Sequence, residues 1–225
     1  MEKVAVYTSI IGHYDKLLQP AVPAEGFDFI CFVGKGEKTA ERDGVWEIRE
    51  LPWEGADKGL TSRYPKMHPH VLLPEYTYSL WVDGNVELVT TEVYDIVSAK
   101  VDEGVMFSGM EHPSRDCIYA EARKCRDMRY IGYPKLAQLH LTYLLSGIPR
   151  HAGLMEANVM LRCHNAAVVR DFDEMWWSKV VRLCRRDQLS QVMCLRKFGL
   201  PQDHLLPAGF NTRNHPAFRY RLHIQ

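Results

Sequence analysis

The chain has 225 residues, of which 46% are hydrophobic and 25% are charged, enough for one globular domain with a sizeable core. Its 28 basic residues balance its 28 acidic residues, so no overall field favours a nucleic acid or an anionic membrane. Recognition of an anion must therefore be local.

Six cysteines are scattered along the chain without a C-x-x-C pair, which predicts reduced and mostly buried thiols. The amino terminus leads directly into an apolar run and shows no signal-peptide core. No apolar run approaches the about 20 residues that a membrane span needs. These features predict a cytoplasmic protein without a membrane span.

Four short apolar or alternating runs predict strands in the first third of the chain. They cover residues 4–9, 27–33, 45–51 and 80–82. Between the third and the fourth, Pro65 and Pro69 favour extended or turn backbone over residues 62–70.

From residue 90 onward, apolar residues recur at helical spacing, first at Val93, Ile96, Val97 and Val101 before the stop at Gly104. Further helices are predicted at 114–125, 134–147, 172–183 and 189–198, and further strands at 105–109 and 158–163. This succession predicts a single α/β domain over residues 1–225, with helices around a mainly parallel sheet. The tail after Pro201 shows no periodicity and is expected to wrap the surface.

The sharpest local pattern is Asp83-Gly84-Asn85, which follows an apolar strand. In open α/β sheets the carboxyl ends of the strands are where ligands bind. Side chains at i and i+2 of an extended segment point the same way, so Asp83 and Asn85 would offer two oxygens to one hard cation. The alternative is a simple turn, because Asp-Gly and Gly-Asn are common turn dipeptides.

A compact basic set precedes that strand and comprises Arg63, Lys66, His68 and His70. Arginine offers a bidentate fork for phosphate, and lysine offers a point charge. The alternative is a solvated loop whose charges face water.

Two helix starts also carry charge. Arg115 and Asp116 are candidates for contacting a ligand, although complementing the helix dipole is the favoured role of Asp116. Asp187 and Gln188 open the helix predicted at 189–198, where Asp187 is expected to cap the helix and is able to face a cleft as well. Of Trp176 and Trp177, one fits an apolar helix face, and the other is a candidate wall or sugar platform.

Six stretches, in one order along the chain, together resemble a glycosyltransferase-like family of plants and bacteria formerly known only as a domain of unknown function. Its plant members include enzymes that build pectic rhamnogalacturonan and seed mucilage. The stretches are VYTSIIGHYD at 6–15, PKMHPH at 65–70, SLWVDGN at 79–85, HPSRDCIY at 112–119, GLME at 153–156 and RRDQLS at 185–190.

The resemblance implies a GT-A fold, in which a Rossmann-like nucleotide-binding half is merged with an acceptor half. The first strand and its loop would hold the nucleoside, at Thr8, Ser9 and Tyr14. Asp83 and Asn85 match the D-x-D motif that binds the metal, the ribose and the diphosphate, with Asn departing from the second Asp. A late histidine would complete the metal shell, with His215 the first candidate and His204 the second.

Asp187 and Gln188 look like the Asp-Gln pair that lines the donor sugar in some retaining glycosyltransferases. The resemblance therefore implies a transferase that moves a sugar from a nucleoside diphosphate donor (a UDP-sugar) to a glycan, with retention of the anomeric configuration favoured. Mn²⁺ or Mg²⁺ is the expected cofactor, and Arg63, Lys66 and Arg115 join the donor site. A metal-dependent hydrolase and a non-catalytic carbohydrate-binding protein are the alternatives.

Overall fold

The computed structural model describes residues 3–12 and 14–222, so His13 of the first motif lies outside the described residues. The strands are β1 (Val4–Ile10), β2 (Phe27–Val33), β3 (Arg42–Asp43), β4 (Trp46–Glu50), β5 (Tyr78–Val82), β6 (Val86–Leu88), β7 (Phe107–Glu111), β8 (Met155–Arg162), β9 (Asp203–His204) and β10 (Phe218–Tyr220). The helices are α1 (Lys58–Met67), α2 (Pro69–Leu72), α3 (Glu92–Asp102), α4 (Ile118–Asp127), α5 (Tyr133–Leu145), α6 (Ala167–Arg182) and α7 (Gln188–Lys197).

Eight strands form one mixed sheet in the order β3-β4-β2-β1-β5-β8-β7-β9, and β6 pairs with β10 in a small second sheet. Strands β4, β2, β1 and β5 are parallel neighbours, while β8 runs antiparallel to both β5 and β7. Because β9 is parallel to β7, only β3 and β8 of the large sheet oppose the common direction among the described residues. The α/β class is confirmed, and the sheet is mixed with one prevailing direction.

The two faces of the large sheet bury separate apolar layers. One layer joins β1, β2 and β5 to α3 through residues such as Val6, Phe29 and Val97. The other joins the sheet to α1, α6 and α7 and includes Tyr7 and Trp176. Strand β8 is buried at every position, so its sequence does not alternate cleanly between apolar and polar residues. All six cysteines are free and buried, as predicted.

The expectation of extended or turn backbone over residues 62–70 is wrong, because most of that stretch is helical. Asp57 starts α1 by accepting the backbone N–H of Leu60 at 2.9 Å. Pro65 stands in the last turn of α1, and Pro69 stands at the first position of α2, where a missing N–H costs little. The two prolines thus mark the boundary between two helices.

The tail after Pro201 also differs from its prediction. It adds β9 to the edge of the large sheet and β10 to the small one, and Thr212 and Ala217 are fully buried. Lone short strands of two or three residues leave no periodic pattern in a sequence. No helix among residues 3–12 and 14–222 is long and apolar enough to cross a membrane.

A buried ion pair lies beneath the carboxyl half of α1. Arg162 of β8 donates to Asp173 of α6 at 2.6 Å, and neither side chain is exposed. The same guanidinium donates to the Tyr7 hydroxyl and, at 2.6 Å, to the backbone carbonyl of Lys66. Arg162 therefore ties β1, α1 and α6 to one point of the sheet.

Replacing Asp173 with Ala should lower the free energy of unfolding by about 3–5 kcal/mol, because the Arg162 charge would be left buried without its partner. Urea unfolding followed by circular dichroism measures the loss. The double variant Arg162→Met with Asp173→Leu is the control and should be less destabilised than Asp173→Ala. A single variant as stable as the wild type would show that the pair carries no such constraint.

Candidate functional site

The site lies where the order of the sheet reverses. Strand β1 has β2 on one side and β5 on the other, and in such sheets the crevice at the carboxyl ends of the strands binds ligands. Asp83 directly follows β5, and Ser9 and Ile10 end β1. A Cβ on Gly84 would lie 3.8 Å from the Ser9 carbonyl oxygen, so the turn after β5 lies against the end of β1.

The ammonium of Lys66 joins the two acids that the sequence singled out. Lys66 Nζ donates to Asp83 Oδ1 at 3.2 Å and to Asp187 Oδ2 at 2.8 Å. The Lys66 side chain is 6% exposed, against 34% for Asp83 and 17% for Asp187. Residues that are 121 positions apart in the chain therefore meet at the edge of one crevice.

Local structure fixes Lys66 at both ends. Its backbone carbonyl accepts from Arg162, and its position in the last turn of α1 directs the side chain over the Trp81 ring, 5.5 Å from the centroid. Trp81 Nε1 also donates to Asp83 Oδ1 at 2.6 Å. Asp83 thus accepts a cationic and a neutral donor on one oxygen, which sets the orientation of its carboxylate.

Asp187 is both a helix cap and a site residue. Its Oδ1 accepts the backbone N–H of Gln188 at 3.0 Å at the start of α7, as predicted, while its Oδ2 faces Lys66. The indole of Trp176, fully buried in α6, donates to the Asp187 carbonyl at 3.0 Å. The two oxygens of this carboxylate therefore have separate and fixed partners.

The two acids titrate in opposite directions. Burial raises the pKa of Asp83 against the attraction of Lys66, and the charge of Asp187 raises it further. For Asp187 burial also acts upward, but Lys66 and then Arg63 outweigh it and lower the pKa to about 2. Asp187 is therefore ionised throughout the neutral range, and Asp83 is the member of the pair that protonates first.

The remaining residues predicted for the donor flank this centre. Thr8 and Ser9 lie on the last residues of β1, and their hydroxyls are buried without a hydrogen-bond partner among the described residues. Arg63 Nη1 donates to the Gly59 carbonyl at 2.6 Å, and its charge acts on Asp187. Tyr14 is 56% exposed beyond the end of β1.

Other predicted residues contact different parts of the fold. Arg115 lies just before α4, and its Nε donates to Glu121 Oε2 in the first turn of α4 at 2.5 Å. Asn85 Nδ2 donates to the backbone carbonyl of Arg221 at 3.0 Å. His215 accepts the N–H of Ala217 at 3.2 Å.

The second-choice histidine, His204, lies on the edge strand β9. Asp116 pairs with His151 at 2.8 Å on the surface, so it has a partner other than the helix backbone. His68 is buried against Tyr64 and Trp177, and His70 pairs with Glu174, so these two histidines do not join Lys66 in the crevice.

Comparison with known proteins adds a family to this geometry. The model of the TOD1/MUCI70 glycosyltransferase-like domain matches residues 1–212. The chain belongs to that family. A probable hexosyltransferase, MUCI70 of Arabidopsis thaliana, is 28% identical over 170 residues, a match that covers 69% of this chain and 28% of that relative. The chain thus spans little more than a quarter of the relative's length.

Membership of the TOD1/MUCI70 family confirms the resemblance found in the sequence and supports glycosyl transfer in general.

One carboxylate that the residue patterns alone missed, Glu156, also lies beside the site. Glu156 of β8 is buried and binds Arg213 at 2.5 Å and Asn158 at 3.2 Å, and the Asn158 carbonyl accepts the Asp83 N–H at 2.8 Å. Glu156 falls in one of the matching stretches, but its neighbours become visible only once β8 pairs with β5.

Replacing Asp187 with Asn should keep the cap, because Asn is as good a cap as Asp, but should remove the charge beside Lys66. The lowered pKa makes the Asp187 charge stabilising above the ordinary aspartate pKa of 3.8, and this contribution is lost as the pH falls towards 2. At pH 7 the wild type should exceed the variant by about 2 kcal/mol in unfolding free energy. Urea unfolding from pH 7 down to pH 2 tests this, and a difference that stays constant over the whole range would contradict it.

Proposed function

We propose that this protein is a GT-A-type glycosyltransferase that moves a sugar from a nucleoside diphosphate donor, a UDP-sugar, to a hydroxyl of a glycan acceptor. The observation that carries the proposal is the meeting of Asp83 and Asp187 on Lys66 in the crevice between β1 and β5. A site of this kind places fixed charges on both sides of a bond that breaks with charge separation.

The strand order supports a nucleotide-binding half. Strands β4, β2, β1 and β5 are the third, second, first and fourth long strands of the chain, ignoring two-residue β3, and they stand side by side in that order. This is the 3-2-1-4 order of the nucleotide-binding Rossmann half, whose ligand lies at the end of the first strand. Thr8 and Ser9 are at that end, and their unpartnered hydroxyls are suited to bind the nucleoside.

Departure of the diphosphate places growing negative charge on its oxygens. Lys66 uses two of its three N–H donors on Asp83 and Asp187, which leaves one donor for an anionic oxygen. Arg63 adds a second cation close to Asp187. In this proposal both cations stabilise the leaving group, and the buried stem of Lys66 means that little reorganisation is needed when the charge develops.

The sugar carbon gains positive character as the bond to the phosphate oxygen breaks. Asp187, ionised at neutral pH, supplies a fixed negative charge to stabilise it, and Gln188 follows as a polar neighbour on the first residue of α7. The bond to the Gln188 N–H and the bond to Lys66 fix the position of this carboxylate, so that it stays in place when the substrate binds. The proposal includes retention of the anomeric configuration, because this Asp-Gln pair is similar to the pair in some retaining enzymes.

A divalent ion fits the site only together with the donor. No group of three or more His, Cys, Asp or Glu residues able to hold a metal occurs in the described part of the chain. Ions such as Mg²⁺ need only one or two carboxylates when substrate phosphates complete the shell. Asp83 would hold such an ion jointly with the diphosphate, whose charge the ion would neutralise, whereas Asn85 and His215 have partners elsewhere in the fold.

Asp83→Ala should abolish transfer, with a loss of about 100-fold or more, because it removes a fixed charge at the donor. The change should also remove the thermal stabilisation by a UDP-sugar. A ligand at 100 times its dissociation constant adds about 2.7 kcal/mol to the free energy of unfolding, and each kcal/mol raises the Tm by roughly 2–4 °C. Asp171→Ala, at an exposed position of α6, is the matched control and should behave as the wild type. Normal turnover by Asp83→Ala, or sugar release without an acceptor, would overturn the proposal.

Manganese should increase the thermal shift produced by the donor, because the ion and Asp83 would bind the diphosphate jointly. Differential scanning fluorimetry of chelator-treated protein, with donor alone and with donor plus Mn²⁺, measures the increment. Asp83→Ala should eliminate it. An equal shift with and without Mn²⁺ would leave Lys66 and Arg63 as the groups that hold the diphosphate.

A further inference from the structure

An open groove of about 540 Å³ lies beside the proposed donor site, between the α4–α5 connection and the end of α6. We call it the basic groove. Its lining residues are Arg63, Tyr130, Ile131, Gly132, Lys135, Val180, Val181, Arg182, Leu183, Cys184, Arg185 and Arg186. The volume is within the range of about 300–1,000 Å³ usual for ligand sites.

The charge of the basic groove is one-sided. Five of its lining residues are cationic and none is acidic, although the whole chain has no net charge. Among the described residues only Arg185 forms an ion pair, with Asp57, while Lys135 donates to Gln138 and the Leu183 carbonyl. Lys135 and Arg182 therefore have no acidic partner among the described residues, and Arg63 and Arg186 share the single Asp187 carboxylate with Lys66. The excess of positive charge along the groove favours an anionic ligand.

The groove meets the proposed active site at one end. Arg185 and Arg186 directly precede Asp187, and Arg63 both lines the groove and acts on the Asp187 carboxylate. The nucleotide side of the site is different, because Thr8, Ser9 and Asp83 do not line the groove. A ligand in the basic groove would thus reach Asp187 from outside the donor pocket, as an acceptor must.

The side chains suit a sugar polymer with acidic groups. Guanidinium groups bind carboxylate or sulfate in a bidentate manner, and Arg182 makes no ion pair among the described residues. Tyr130 is 53% exposed and carries Arg186 over its ring at 4.6 Å, so its face is occupied by a cation. That arrangement favours anionic groups along a chain over the stacked bases of a nucleic acid.

We propose that the basic groove binds an acidic segment of the acceptor, a glycan that carries carboxylate or sulfate groups. The proposal rests on the proposed function only where it calls the ligand an acceptor, because binding of the glycan requires neither the donor nor turnover. Selection of the acceptor would then come from charge next to Asp187.

Fluorescence anisotropy with labelled dextran, carboxymethyl-dextran and dextran sulfate of equal chain length tests the proposal, because the three share one backbone and differ in their anionic substituents. The two charged polymers should bind and the neutral one should not. Arg182→Glu, at an exposed residue, should weaken binding about tenfold, and adding Lys135→Gln should weaken it further. Arg196→Glu, the same charge change at an exposed position of α7 outside the groove, should have no effect.

Equal binding of neutral and charged dextran, or equal losses in Arg182→Glu and Arg196→Glu, would overturn the proposal. So would displacement of the charged polymer by uridine diphosphate together with a weaker nucleotide shift in Arg182→Glu, because the groove would then hold the donor. A polyuridylate that binds more tightly than carboxymethyl-dextran would point to nucleic acid instead. Asp83→Ala should retain polymer binding, so loss of donor response with polymer binding intact counts against the proposed function alone.

Discussion

The arrangement of the site depends on one buried ammonium group. Lys66 is almost fully removed from water, and it is stable there because Asp83 and Asp187 accept two of its N–H bonds. Removing either acid leaves the cation partly uncompensated, and removing Lys66 leaves two carboxylates facing each other. The constraint joins the end of β5, the last turn of α1 and the first turn of α7, so that correct folding of all three elements is needed to form the site.

The same lysine connects the site to the core through its backbone. Arg162 donates to the Lys66 carbonyl, the Tyr7 hydroxyl and Asp173. One guanidinium in the sheet therefore fixes the end of α1 against β1 and α6. Burying such a pair is costly, and three bonds of Arg162 offset part of that cost, although Arg162 Nε and Asp173 Oδ2 have no hydrogen-bond partner among the described residues. The site is thereby placed on rigid elements, which suits chemistry that relies on preorganised charge.

The sequence predicts those strands, helices and caps that depend on residues close together in the chain. The apolar runs gave most strands and helices to within a few residues, and Asp187 was recognised as a cap because capping needs only the residue and the helix behind it. The helix α1 was missed because Pro65 and Pro69 favour other backbone in isolation, and packing of Lys66 and Arg162 outweighs that preference. The neighbours of Glu156 could not be inferred, since the pairing of β5 with β8 joins segments about 80 residues apart.

Two groups of cations in this molecule differ in how their charge is compensated. Lys66 is buried and shared by two acids, so it is fixed before any substrate arrives. Lys135 and Arg182 of the basic groove form no ion pair among the described residues, so solvent or a ligand must compensate their charge. Compensated charge stabilises a transition state without needing to rearrange, whereas uncompensated charge attracts a substrate. The separation of these two roles on either side of Asp187 is what a transferase with two substrates requires.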